Sequence, residues 1–182
     1  MHEIVKSLFS SYSLSQAEYK FLAADAMARN LRTILEFGPG VSTFAFLNAG
    51  ASKILSLEYN QEWVHKYIKV FETQPNVNVH HYKNTAYLNI KEANDQKFDA
   101  AFIDSPTGGM YRKFSRINSA LYASARTEIL YIHDAERPAE QRTVAVLQEL
   151  GWSQVASGPH NKIAVLKKKK LEYTVLPRHA RK

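Results

Sequence analysis

Asp104, His133 and Asp134 are the residues of this chain best suited to chemistry. Asp104 closes the apolar run FDAAFID, and His133-Asp134 closes EILYIHD. Two carboxylates and an imidazole can work in two ways. They can take a proton from a hydroxyl, or they can hold a divalent cation that acidifies it. A second group stands upstream. ILEFGPGVST places Glu36 directly before Gly38 and Gly40, and LSLEYN places Glu58 18 residues past Gly40. Glycines let a backbone approach a ligand closely, and a carboxylate at that distance can accept the hydroxyls of a ribose.

These groups need elements to hold them. Thr33–Phe37, Lys53–Glu58, Val77–Tyr82, Phe98–Ile103 and Glu128–Ile132 read as strands. Helices are expected over Ser42–Ala49 and Gln61–Phe71, over Thr85–Ala93, and around Met110, Phe114, Ile117 and Leu121. Another starts at Pro138 and stops at Gly151. Ser15 and Glu18 have capping-box spacing ahead of a first helix. Ser153–Ser157 and Lys162–Leu166 flank the turn-rich SGPHN and read as an antiparallel hairpin. Strands alternating with helices predict an α/β fold: a mostly parallel sheet with helices on both faces. Ligands of such sheets bind beyond the carboxyl ends of the strands, where every informative residue above falls.

The glycine turn after one strand, with an acid ending the next, points to a nucleoside-containing cofactor. NAD and S-adenosylmethionine both fit. Two features separate them. The third glycine of the dinucleotide fingerprint is absent, with Thr43 in its place. Glu36 also sets a carboxylate at the turn, which would repel a pyrophosphate and attract the cationic methionine of the methyl donor. The bland alternative is a tight turn beside an exposed glutamate.

EFGPG at 36–40, the acid of LSLEYN and the DSP at 104–106 resemble class I S-adenosylmethionine-dependent methyltransferases over residues ~33–166. The resemblance implies a Rossmann-like sandwich with a seven-stranded, mostly parallel sheet and an antiparallel last strand. It implies a cofactor site at Glu36, Gly38, Pro39, Gly40, Ser42 and Thr43, with Glu58 and Tyr59 at the ribose. Asn84 and Thr85 would then lie near adenine, with Asp104 and Ser105 completing the site. A narrower resemblance is to the glucuronoxylan 4-O-methyltransferase group. It rests on Asp104, Pro106 and Gly108 in one segment, on His133, Asp134 and Arg137 in another, and on the SLSxxE opening at 13–18. Ser105 stands where that group has alanine, and the chain adds a basic tail.

Three roles for the central cluster stay open. Asp104 and Asp134, with His133, could hold Mg, Mn or Co. His133 or Asp104 could serve as a metal-free base. Or Asp134 caps a helix and His133 makes a structural hydrogen bond. Arg112, Lys113, Arg116 and Arg137 could grip a sugar carboxylate, or simply line an exposed helix face. His80 and His81 read as structural, and Trp63 and Trp152 as packing residues.

Composition bounds the setting. The 182 residues, 45% hydrophobic and 23% charged, suit one soluble domain over 1–166. No cysteine is present, which excludes a disulfide scaffold and a thiolate metal site. No stretch approaches the ~20 apolar residues of a membrane span. A cytoplasmic location is the expectation. Of the net charge of +7, only about +1 belongs to 1–166, because the tail at 167–182 holds seven Lys or Arg against one Glu. The expected activity is O-methylation of a sugar, polysaccharide or other polar small molecule. A nucleic-acid methyltransferase and a non-catalytic nucleoside-binding protein are the alternatives.

Overall fold

Ser15 begins the first helix as its spacing predicts. Glu18 N donates to Ser15 Oγ at 3.3 Å, and Ser15 N donates back to Glu18 Oε2 at 2.8 Å. That helix, α1, spans Gln16–Ala28. The computed structural model describes residues 14–83, 88–106 and 116–169.

After α1 come β1 (Thr33–Phe37), α2 (Val41–Asn48), β2 (Lys53–Glu58), α3 (Gln61–Val70) and β3 (Val77–His81). The second half runs β4 (Ala100–Ile103), α4 (Ile117–Ser124), β5 (Ile129–His133), α5 (Pro138–Glu149), β6 (Trp152–Ser157) and β7 (Ile163–Lys168). The sheet has seven strands in the order β3-β2-β1-β4-β5-β7-β6. β1 pairs parallel with both β2 and β4, and β7 inserts antiparallel between β5 and β6. This is the expected architecture. The order reverses between β1 and β4, so the crevice above that pair is the topological switch point.

The central strands are buried on both faces, which is why they read as continuous apolar runs. Leu35, Leu55, Leu130 and Ile132 pack beneath α4 and α5, with Ala120, Val144 and Leu147 opposite them. Ile34, Ile54, Phe102 and Tyr131 turn to the other face, against Leu22 and Ala26 of α1 and Phe46 of α2. Both cores press on the same short strands. Their terminal residues therefore sit on a rigid frame rather than on a loop.

Three expectations need correction. No helix forms over the described part of 85–93: residues 88–90 have no regular structure and a turn follows. The reason is tertiary. Tyr122 Oη donates to Ile90 O and Arg126 Nε donates to Ala93 O, so carbonyls that a helix would use are taken by side chains. Trp152 is buried as expected, but Trp63 is 43% exposed, stacked on Tyr67 with Lys66 over its ring. Finally, β7 continues through Lys168, so the first lysines of the basic tract belong to the sheet. The tail from residue 170 lies outside the described residues, as do Asn84, Thr85, Gly108, Arg112 and Lys113. Among the described residues no helix is long and apolar enough to cross a membrane.

Candidate active site

The glycine turn follows β1 directly. Gly38 has φ +90, and its N donates to Leu57 O at 2.9 Å. A Cβ there would meet Ser105 Cβ at 3.1 Å and the Asp104 carbonyl carbon at 3.2 Å. Gly38 is thus where the β1 and β4 ends close on each other, and only glycine allows it. Gly40 is different. Among the described residues a Cβ there would meet Tyr67 Oη alone, at an ordinary 3.5 Å.

Glu36 lies enclosed below this turn, with no exposure to solvent. It accepts from Ser42 Oγ at 2.6 Å, Thr43 Oγ1 at 2.7 Å and Ser56 Oγ at 2.5 Å. Burial pushes its carboxyl up to about 7, against the pull of those three hydroxyls. In sequence Glu36 stands as a charge at the turn. Burial instead weakens that charge, and the carboxyl binds Ser42 and Thr43 into the start of α2. Its repulsion of a pyrophosphate is correspondingly weaker.

Glu58 ends β2 and is almost buried, with Asn60 N donating to Oε1 at 2.8 Å. Burial raises its carboxyl, opposed by backbone donors from Asn60 and Tyr59. Tyr59 O in turn meets His81 Nε2 at 3.0 Å, which gives His81 a structural role. Tyr67 reaches the turn from α3. Burial, together with the charges of Glu58, Glu36 and Asp104, raises its phenol. On the other flank Tyr82 Oη lies 3.2 Å from Ser105 Oγ and 3.4 Å from Ser119 Oγ, fixing Ser105 after β4.

The second half of the site is an ion-pair cluster above β4 and β5. His133 Nδ1 lies 2.8 Å from Asp104 Oδ1, and Nε2 lies 3.1 Å from Glu18 Oε1. Arg116 Nη2 lies 2.8 Å from Asp104 Oδ1 and 2.9 Å from Asp134 Oδ2. Its Nη1 donates to His133 O at 2.7 Å. Arg137 Nη1 closes on Asp134 Oδ2 at 2.8 Å. Burial would lower the His133 ring, but Asp104 and Glu18 outweigh it and push the imidazole up to about 10. Glu18 falls to about 2, because the His133 hydrogen bond and the Ser15 cap overcome its burial. Asp104 is also held below its ordinary value. Burial opposes this, and the charges of His133 and Arg116 win. His133 therefore carries its proton at neutral pH, with both nitrogens turned to carboxylates.

Asp104, His133 and Asp134 do converge: one ligand atom from each lies within 4.8 Å of the others. A divalent ion would have to displace protein partners there, because one oxygen of each carboxylate and both ring nitrogens already face them. In sequence Glu18 shows only as a helix cap and as part of the SLSxxE opening, and Arg116 as either a grip for a sugar carboxylate or an exposed charge on a helix face. Arg116 is buried and grips the chain's own acids instead. Arg137 is the exposed guanidinium of the pair. The SLSxxE opening was the one available signal for Glu18, since it tied that residue to the His133 segment in a single resemblance.

The sheet order, the glycine turn and the acid ending β2 define the class I methyltransferase fold. No family model matches the chain, and no curated protein matches it. Solved structures do. An O-methyltransferase from Bacillus cereus in complex with SAH is similar, with TM-score 0.65 and 15% identity over 92% of each chain. The SAH-bound methyltransferase PaMTH1 from Podospora anserina has TM-score 0.65 and 16% identity, covering 92% of this chain and 86% of its own. TomG from Streptomyces achromogenes, an O-methyltransferase of tomaymycin synthesis solved with SAM, has TM-score 0.63 and 13% identity over 91% and 88%.

Proposed function

We propose that the protein is an S-adenosylmethionine-dependent O-methyltransferase acting on a hydroxyl of a sugar or another polar small molecule, in the cytoplasm. The observation that carries this reading is the juxtaposition at the switch point. Gly38 packs the donor turn against the backbone of Asp104, so the cofactor end and the ion-pair end share one crevice. The solved neighbours bound to SAH or SAM support the choice of cofactor.

The residues suit that cofactor. Gly38, Pro39 and Gly40 offer backbone for the methionine, with Ser42 and Thr43 kept in place by Glu36. Glu58, with Tyr59, takes the ribose, and Asn84 and Thr85 are assigned to the adenine end. When bound, the cofactor supplies an electrophilic methyl group on a sulfonium. Asp104 and Ser105 stand beside the turn, and Asp104 is the proton acceptor for the substrate hydroxyl. Asp104 would take the hydroxyl proton as the substrate oxygen accepts the methyl group that the bound cofactor would supply. A carboxylate held low is a weak base but always ionised, and methyl transfer needs little beyond alignment and that acceptor. His133 and Arg116 hold Asp104 in place.

The sugar rests on the DxPxG and HDxxR segments, and Arg137 is the cation placed to meet an acidic acceptor. A nucleic-acid acceptor is the weaker reading, because the strongly basic segment is the tail rather than the domain. One observation favours a non-catalytic nucleoside-binding protein: His133 has no nitrogen left to act as a base. Calorimetry decides the cofactor, with S-adenosylmethionine expected to bind and NAD not. A labelled-methyl assay across saccharides, small alcohols and nucleic acids decides the acceptor. Asp104→Asn is expected to lower kcat by about 10²–10⁴-fold while cofactor binding survives. Unchanged turnover would remove Asp104 from the chemistry.

A further inference from the structure

We propose that Arg116 is the resident counter-cation of the Asp104–His133–Asp134 cluster, standing in for a divalent ion so that the site works without one. The three side chains have the composition and spacing of a Mn²⁺ or Co²⁺ site. One oxygen of each carboxylate and both ring nitrogens are nevertheless already committed. A single guanidinium nitrogen, Nη2, bridges Asp104 Oδ1 and Asp134 Oδ2, as a shared cation would. The rest of the guanidinium is anchored elsewhere. Nη1 donates to His133 O at 2.7 Å, while Nε lies 3.4 Å from Pro106 O and 3.7 Å from Glu140 Oε1. The side chain is 3% exposed, so it cannot swing aside into water without leaving buried carboxylates uncovered.

The imidazole points the same way by geometry. Nδ1 faces Asp104 and Nε2 faces Glu18, both at hydrogen-bond distance. A ring nitrogen that donates a proton to a carboxylate has no lone pair for a metal. The acceptor hydroxyl then meets Asp104 directly rather than through a bound ion. This inference rests on the proposed function only in taking the cluster as the acceptor end.

The test reads metal binding, not turnover. Mn²⁺ alone is titrated with the full chain, and its free electron paramagnetic resonance signal is followed. The wild type and Arg116→Lys are expected to leave the signal undiminished. Arg116→Ala is expected to bind Mn²⁺ about tenfold or more tightly than the wild type, the gain being lost again when Asp104→Asn is added. Wild-type binding of one Mn²⁺ that Asp104→Asn abolishes would overturn the proposal. So would a folded Arg116→Ala, checked by circular dichroism, that gains no affinity. If Arg116→Ala does not fold, the wild type and Asp104→Asn decide alone. Calorimetry with S-adenosylmethionine on the same samples reports separately on the functional reading.

Discussion

His133 Nε2 and Glu18 Oε1 lie 3.1 Å apart, joining β5 to the first turn of α1 across 115 residues of sequence. Glu18 uses its other oxygen to cap its own helix, so one carboxylate fixes both where α1 starts and where it docks. Removing one partner of a buried charge pair leaves the other uncompensated, at about 3–5 kcal/mol. Glu18→Ala is expected to lose stability on that scale in urea unfolding. Glu18→Gln should lose less, because its amide oxygen still accepts from the imidazole. A loss under about 1 kcal/mol for the alanine variant would mean that the pair is solvated rather than buried.

The pH dependence of stability follows from the same imidazole. His133 is raised from its ordinary 6.5 to about 10 in the folded chain. The folded state therefore holds a proton that the unfolded chain has released. Its contribution is complete below pH 6.5 and is lost as pH rises through 10. Wild-type stability should fall across that window by no more than about 1.4 kcal/mol per pH unit. His133→Gln should lack this slope. Denaturant midpoints from pH 6 to 10 measure it, and parallel curves for the two proteins would refute the assignment.

Glu36 acts in a lower window. Burial raises it from 4.5 to about 7, so here the folded state is the one that keeps its proton. Stability from this group is present below 4.5 and lost as pH rises to 7. Glu36→Gln carries no titrating group there, and its amide can bond Ser42, Thr43 and Ser56 once their hydroxyls reorient. The difference in stability between wild type and variant is expected to shift in favour of the variant by on the order of 3 kcal/mol between pH 4.5 and 7. A constant difference would place the Glu36 pKa near its ordinary value.

The strands and their polar ends were legible because a parallel sheet writes itself as apolar runs, each closed by the residue that meets the crevice. That logic found Glu36, Glu58, Asp104 and His133. It could not find their partners. Nothing in the spacing of Glu18 or Arg116 says that 115 residues or a loop will fold back to put them on His133 and Asp104. The same blindness produced the helix expected near residue 90, where hydrogen bonds from Tyr122 and Arg126, far along the chain, override local preference. It also made Glu36 a full charge, since burial sets that charge and the sequence does not display burial at a turn.

Gly38 and Gly40 look alike in sequence and differ in the structure, which separates folding from binding. Gly38 has φ +90 and backbone and side-chain atoms of β4's end within 3.3 Å of where a Cβ would stand. Gly38→Ala suffers both a left-handed strain and a clash that rigid backbone cannot relieve, about 2–4 kcal/mol together. Gly151 provides the control: it has φ +89 with no atom of the described residues within 4 Å, so Gly151→Ala should lose only the strain component, about 1 kcal/mol. Gly40 has an extended φ of 167 and room for a methyl group beside Tyr67 Oη. Gly40→Ala should therefore unfold within about 0.5–1 kcal/mol of the wild type. If the proposed cofactor lies against this backbone, the methyl group takes its space, and affinity for S-adenosylmethionine should drop at least about tenfold. Calorimetry and urea unfolding on the three variants test this together. A Gly40→Ala protein that is both stable and fully competent to bind would move the cofactor away from the turn.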